Sequence, residues 1–290
     1  MSCLQTLDDA TPLFDYSTWA TRLPDLAKRY ANNQPVPHLL LRDFLSPELA
    51  TEAACQFPLP DTETWTQYKH HNEHKMGMAK RDLFPPALRL LTDELNSPRF
   101  VAWLSTVTGI PKLLADPGLE GGGLHQASRG GFLNVHTDFS HHHYHKHWCR
   151  RVNLIVYLNP TWKSEWGGAI ELWDSKMKQC VAKYPPLLND VLIFNTDQNS
   201  LHGFPEPLRC PEGESRKSLA LYYYTIDQDS KVQVRSTDYR ARPTDTPSEA
   251  MLIWLDKFAV DVYSRAKARF GFSDTFASKL LRLISERKRQ

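Results

Sequence analysis

The sequence predicts a β-sandwich or barrel flanked by helices at both ends, on three observations. Between Leu124 and Ile226 the chain breaks into short β-branched and aromatic runs, RVNLIVYLN, GAIELWD, DVLIFNT and SLALYYYTI, parted by Gly, Pro, Asn and Asp. That is the texture of strands joined by turns. Before this region, apolar residues recur at helical spacing behind capping residues. After it, the polar, Pro-containing stretch RARPTDTPS leads into a further helical segment.

The elements follow in order. VPHLLLRDF, between Val36 and Phe44, reads as a short strand. SPELATEAACQF reads as a helix with Ser46 as N-cap and Pro47 at the first helical position. PPALRLLTDEL is a second helix, and SPRFVAWLSTVTG a third, capped by Ser97, started by Pro98 and stopped near Gly109. Thr246 and Glu249 have the spacing of a capping box for a helix that Gly271 stops. A last helix ends in SERKRQ, whose basic residues suit a helix C-terminus. The expected layout is a helical brace at about 1–120, a β core at about 121–230, together one domain over 1–230, and a linker with C-terminal helices at 231–290.

Composition bounds the function. The chain has 290 residues, 41% of them hydrophobic and 23% charged, with a formal net charge of +2. This is ample for a buried core and too near neutrality to draw the protein to nucleic acid or an anionic membrane. No secretory signal stands in MSCLQTLDDATP and no apolar run reaches membrane-spanning length. A cytoplasmic protein is expected. Five scattered cysteines (Cys3, Cys55, Cys149, Cys180, Cys210), with no CxxC pair, are expected to be reduced thiols.

Six of the twelve histidines fall within GGFLNVHTDFSHHHYHKHWCRR, residues 130–151. On a strand, residues two apart face the same side, so His136 and Asp138 offer an imidazole and a carboxylate together. A third ligand from elsewhere would complete the two-His, one-carboxylate facial triad of non-haem Fe(II) oxygenases. His202 stands just past a strand, after the turn-forming TDQNS. Arg216 then opens a strand on which Arg216, Ser218, Ala220 and Tyr222 share a face. An inward arginine needs a carboxylate, from the protein or from a ligand.

HTD at 136–138, RRVNLIVYLNP at 150–160, WGGAIELWD at 166–174, LIFNTDQNSLHG at 192–203 and RKSLALYYYT at 216–225 together resemble the Fe(II)/2-oxoglutarate-dependent dioxygenase superfamily, in its prolyl 4-hydroxylase-like branch. Order and spacing agree over roughly Val36 to Ile226. The resemblance implies a double-stranded β-helix (jelly roll) with an N-terminal helical brace. It implies His136, Asp138 and His202 as iron ligands. Arg216 then holds the far carboxylate of 2-oxoglutarate with help from Tyr157, and Asn153, Ile155 and Ser218 lie on the cosubstrate face. O2 is the co-oxidant, ascorbate a supporting reductant, and succinate and CO2 the co-products of C–H hydroxylation. The carboxylate ligand Asp138 argues against halogenation, and Tyr222, six residues after Arg216 where nucleic-acid demethylases carry a second Arg, argues against a nucleic-acid substrate.

The expected substrate is a prolyl or other peptidyl group of a peptide or protein, or a small molecule. An oxygenase tailoring a sugar or natural product, and a non-catalytic metal-binding jelly roll, are the alternatives. His141–His147 are expected to form a loop at the site's mouth and not a second metal centre. That loop and Thr62–Asp82 are the expected substrate rim. Arg150 and Arg151 read equally as contacts to an acidic substrate group or as surface pairs. His38 and His125 read as structural or surface residues, and His70, His71 and His74 have no ligand spacing. Trp162, Trp166 and Trp173 read as packing, and Gly167 and Gly168 as a tight strand entry.

Overall fold

The computed structural model describes residues 13–60, 64–227 and 234–270. In chain order come α1 (Tyr16–Thr21), α2 (Leu23–Asn32), β1 (His38–Leu41), α3 (Pro47–Cys55), β2 (Thr66–His70), β3 (Glu73–Met78), α4 (Pro86–Leu95) and α5 (Pro98–Thr108). The β core follows, with β4 (Leu114–Ala115), β5 (Gly123–Ser128), β6 (Phe132–Thr137), β7 (Trp148–Tyr157), β8 (Ile170–Trp173), β9 (Cys180–Tyr184), β10 (Val191–Asn195), β11 (Leu201–Phe204) and β12 (Ser215–Ile226). β13 (Asp238–Tyr239) and α6 (Pro247–Phe270) complete the described chain.

The strands join in the order β1-β10-β7-β12-β5-β3-β6-β11-β8-β9, every pairing antiparallel, and curl into a nearly closed jelly-roll barrel. β2, β4 and β13 extend it through β3, β12 and β6.

Alternation along three central strands fixes which side chains face the barrel. Val152, Leu154 and Val156 of β7, Leu219, Leu221 and Tyr223 of β12, and Val191 and Ile193 of β10 join one apolar core with Leu26, Phe44, Leu49, Phe100 and Leu104 of the helical brace. Burying one such aliphatic side chain contributes about 1.5–3 kcal/mol. The Tyr223 hydroxyl also donates to the Leu95 carbonyl at 2.8 Å. A one-residue slip would turn this whole set over. With the outer set held on the helices, Asn153, Ile155 and Tyr157 of β7 stand opposite Tyr222, Ala220 and Ser218 of β12 on the inner face.

The expected caps are present. The Ser46 and Ser97 hydroxyls accept from the Leu49 and Phe100 amides, and Gly109 ends α5 in the left-handed conformation. Thr246 and Glu249 exchange reciprocal bonds at the start of α6. Three features differ from expectation. The N-terminal third is not purely helical: TQYKH and EHKMGM form the hairpin β2–β3, which adds to the barrel. The expected linker carries β13, paired with Thr137 and His136 of β6. Cys149, Cys180 and Cys210 are free, but Cys55 is disulfide-bonded, which corrects the expectation of reduced thiols there. Gly271 and the last helix also lie outside them. Among the described residues no helix is long and apolar enough to cross a membrane.

α6 docks on the hairpin by one face. Ile253 is buried, and Asp256 meets His70, His71 and Asn72 at the β2–β3 tip. Met251, Leu255, Phe258 and Val262 are exposed. His70 bridges two carboxylates, Nδ1 to Asp256 at 2.7 Å and Nε2 to Glu73 at 2.9 Å. Burial alone would lower the His70 pKa, but Asp256 and Glu73 together push it up to about 9. Because the folded value lies above the unfolded one, this contribution is complete below about pH 6.5 and is lost as pH rises through about 9, an effect of up to about 3 kcal/mol. Thermal melts of the full chain should therefore fall between pH 7 and 10, and His70→Gln should flatten that slope.

Candidate metal centre and cosubstrate pocket

His136 of β6 and His202 of β11 are cross-strand partners, so the two rings leave the sheet on one face, 4.5 Å apart between centroids. Each Nδ1 lies 2.9 Å from the carbonyl oxygen two residues earlier, that of Asn134 for His136 and of Ser200 for His202. Donating there, Nδ1 carries the proton and Nε2 is left with a free lone pair. Both Nε2 atoms face Asp138, at 3.6 Å from Oδ1 and 3.5 Å from Oδ2 respectively. The three ligand atoms lie within 4.8 Å of one another, and no other such group occurs among the described residues. Two imidazoles and one carboxylate converging from one side are a donor set suited to a divalent transition metal.

Asp138 owes its charge to what lies behind it. Burial would raise its pKa, but the Arg150 guanidinium, with His202 and His136, holds it well below the usual carboxylate range. Arg150 Nη2 stands 3.1 Å from Asp138 Oδ2. Arg150 Nε donates to Asn153 Oδ1 at 2.9 Å, and Asn153 Nδ2 donates to Asp138 Oδ2 at 2.7 Å. The guanidinium is sandwiched between the rings of Tyr222 at 3.3 Å and Phe139 at 4.5 Å. Burial pushes His202 down to about 4, which keeps it neutral.

At the other end of the inner face, Arg216 is 6% exposed and donates from Nε to the Gly168 carbonyl at 2.7 Å. Its guanidinium packs over Phe204 and Tyr157. No carboxylate pairs with it among the described residues, in contrast to Arg150. The Tyr157 hydroxyl is buried beside it with no acceptor for its proton among the described residues, and burial pushes its pKa up to about 12. Ser218 lies between Tyr157 and His125 in register. A buried guanidinium with no carboxylate partner among the described residues, and a buried phenol beside it, fit the carboxylate of an organic acid.

Residues 122–224 match the 2OG-Fe(II) oxygenase superfamily. The matched segment runs through the barrel core, from β5 into β12. A 79-residue segment of the chain, 26% of it, is 33% identical to the prolyl 3-hydroxylase OGFOD1 of Mus musculus and spans 14% of that protein's length. The fold is similar to that of a Pseudomonas putida prolyl-4-hydroxylase, with a TM-score of 0.51 at 14% identity over 71% of this chain and 100% of that one. It is similar also to a Trichoplax adhaerens prolyl hydroxylase solved with a hypoxia inducible factor peptide fragment, with a TM-score of 0.52 at 15% identity over 72% and 94% of the two chains. Oxygenases of this superfamily use Fe(II) and 2-oxoglutarate, which matches the two halves of the site.

The structure moves several residues from their expected places. Arg150 is neither at the mouth nor on the surface but behind Asp138, 2% exposed. Asn153 stands on the inner face opposite Tyr222, and its side-chain amide is engaged by Asp138 and Arg150. Strict alternation from Asn153 would turn Arg151 inward. A bulge opposite Tyr223 and Tyr224 pairs Arg150 with Tyr224 and turns Arg150 in. Gly168, read only as a strand entry, supplies Arg216 with its acceptor. Its φ is +73°, and a Cβ there would stand 3.2 Å from Arg216 Cδ, so only glycine serves.

The other histidines of the rich loop stay out of the triad. His142 is buried 3.4 Å from Asp116, His143 pairs with Glu120 at 2.8 Å, and His145 stacks on Trp148. His38 is structural, bonded to Val36 and Tyr184. His125 faces the barrel with a buried, unpartnered Nε2. Trp162 and Trp166 pack edge to face. Of the expected substrate rim, residues 62 and 63 lie outside the described residues and the rest is largely the β2–β3 hairpin.

Removing Arg150 leaves Asp138 buried without its main counter-charge. Arg150→Met is therefore expected to weaken divalent-metal binding about 10–100-fold and to move the acid limit of binding to higher pH, as read by metal titrations at several pH values.

Proposed function

We propose that this protein is an Fe(II)- and 2-oxoglutarate-dependent dioxygenase that hydroxylates an unactivated C–H bond of a prolyl or other peptidyl residue. One observation carries the reading: a buried three-donor metal set and a buried guanidinium lacking a carboxylate share the inner face of one barrel. The prolyl preference rests on the segment shared with the mouse prolyl 3-hydroxylase and on the prolyl hydroxylase fold.

His136, Asp138 and His202 would hold the ferrous ion. Their roles divide by charge: the imidazoles donate as neutral ligands fixed in tautomer by Asn134 and Ser200, and Asp138 supplies the anion. Arg150 and Asn153 keep Asp138 ionised and in one orientation without touching the metal. Arg216 and Tyr157, with Ser218 beside them, would bind the far carboxylate of 2-oxoglutarate and set its register. Phe194, edge-on to His202 at 4.7 Å, and Tyr239, 5.5 Å from the His136 ring, keep water from the histidines. When bound, iron, 2-oxoglutarate and O2 supply the oxidising power, with release of succinate and CO2. The protein's part is orientation, and the C–H bond it holds nearest the metal is the one oxidised.

The test is anaerobic titration of the full chain with Fe(II) and 2-oxoglutarate, followed by an aerobic screen of prolyl peptides, free amino acids and glycans for succinate release coupled to gain of one oxygen. A metal-to-cosubstrate absorption band and oxygen transfer to a prolyl peptide are expected. A band without turnover on any substrate would leave a metal-binding jelly roll, and turnover on glycans alone would overturn the prolyl reading. Asp138→Ala should abolish succinate formation. Arg216→Ala should raise the 2-oxoglutarate requirement by one to two orders of magnitude, about the 1.5–3 kcal/mol of a charge-assisted hydrogen bond, while Fe(II) affinity changes little.

A further inference from the structure

We infer that Asp256 of α6 is a positioning residue for the metal centre, acting through Asn72 and Asn134 on the ring of His136. This rests on the metal-site reading above and extends it to a helix outside residues 122–224.

The path is a continuous series of hydrogen bonds. Asn72, fully buried at the β2–β3 tip, donates from Nδ2 to Asp256 Oδ2 at 2.7 Å and to the Ile253 carbonyl at 3.1 Å. Its side-chain oxygen accepts from Asn134 Nδ2 at 3.1 Å, and its backbone oxygen accepts from the Asn134 amide at 2.9 Å. Asn134 in turn presents the carbonyl that accepts from His136 Nδ1 at 2.9 Å. Asp256 is itself fixed by His70 at 2.7 Å and by the His71 amide at 3.4 Å.

The two histidine ligands are supported differently. His202 hangs from Ser200, whose hydroxyl is tied back to Asp197 within the same loop. His136 hangs from Asn134, whose place depends on a hairpin tip and a C-terminal helix distant in sequence. β13 adds to this, laying Tyr239 opposite His136 in register and ring against ring. An imidazole turns about one bond, and the acceptor on its Nδ1 sets where it stops. A displaced Asn134 carbonyl therefore re-aims Nε2.

Cobalt(II), a spectroscopic substitute for iron, is titrated into the full chain and its variants, with affinity and the visible ligand-field band read together. Asp256→Ala is expected to weaken cobalt binding about tenfold and to shift the band. Asp256→Asn, which keeps an acceptor for Asn72, is expected to restore both. Unchanged affinity and band in a folded Asp256→Ala protein overturns the inference. An Asn variant as weak as the Ala variant also overturns it, because charge and helix docking would then matter and the hydrogen bond would not. Should Asp256→Ala fail to fold, His70→Gln at the hairpin tip replaces it, with a loss of roughly two- to threefold expected and no loss overturning the inference. His136→Ala separates the two readings. If it binds cobalt as the parent does, the metal-site reading falls; if it alone loses binding, only the role of Asp256 falls.

Discussion

A carboxylate inside a barrel stays ionised only if something compensates for the water it has lost, and here the compensation is the Arg150–Asp138 pair. The two charges meet at 3.1 Å with Asn153 bridging them. Taking either partner alone out of such a buried pair costs about 3–5 kcal/mol. The rings of Tyr222 and Phe139 close over the guanidinium and confine it to one pose. Two histidines then complete a three-donor set suited to a divalent cation. The opposite arrangement holds at Arg216, a cation with no anion among the described residues. The inner face thus carries a compensated charge pair at one end and, at the other, a cation with no counter-ion among the described residues, Arg150 on β7 and Arg216 on the neighbouring β12.

That polarity can exist because the outer face of the same strands is uniformly apolar. Val152, Leu154 and Val156 on β7 and Leu219, Leu221 and Tyr223 on β12 are seated on the helices. The register they impose lets Asn153, Tyr157, Arg216 and Ser218 point inward despite the cost of burying them. The helical brace acts on function by fixing strand register, with no residue of its own in the metal set.

Much of this was legible in the sequence. HTD, the distal SLHG and RKS stand out because ligation and carboxylate binding restrict residue type, and strand alternation restricts spacing. The apolar runs and the capping residues Ser46, Ser97 and Thr246 gave the helices and strands around them. What escaped was non-local. TQYKHHNEHKMGM has polar residues on both faces, because β2 is largely exposed and only Met76 and Met78 of β3 reach the apolar core, so no period shows. Arg150 turns inward through a bulge that depends on β12. Gly168 matters for its carbonyl, which every residue has. Asn72 and Asp256 are 184 positions apart and have no sequence signature as a pair.

β13 sits on β6 at the candidate ligand His136, with Tyr239 against its ring, although it follows the matched core. Such an arrangement separates what must be kept from what can vary. The ligands and the arginines are tied to the chemistry, while the flanking chain reaches the same imidazole and contributes no donor atom. Lineages sharing this barrel can therefore retune the metal's surroundings by rewriting their C-terminal extension alone, a change that comparison restricted to the core would not register.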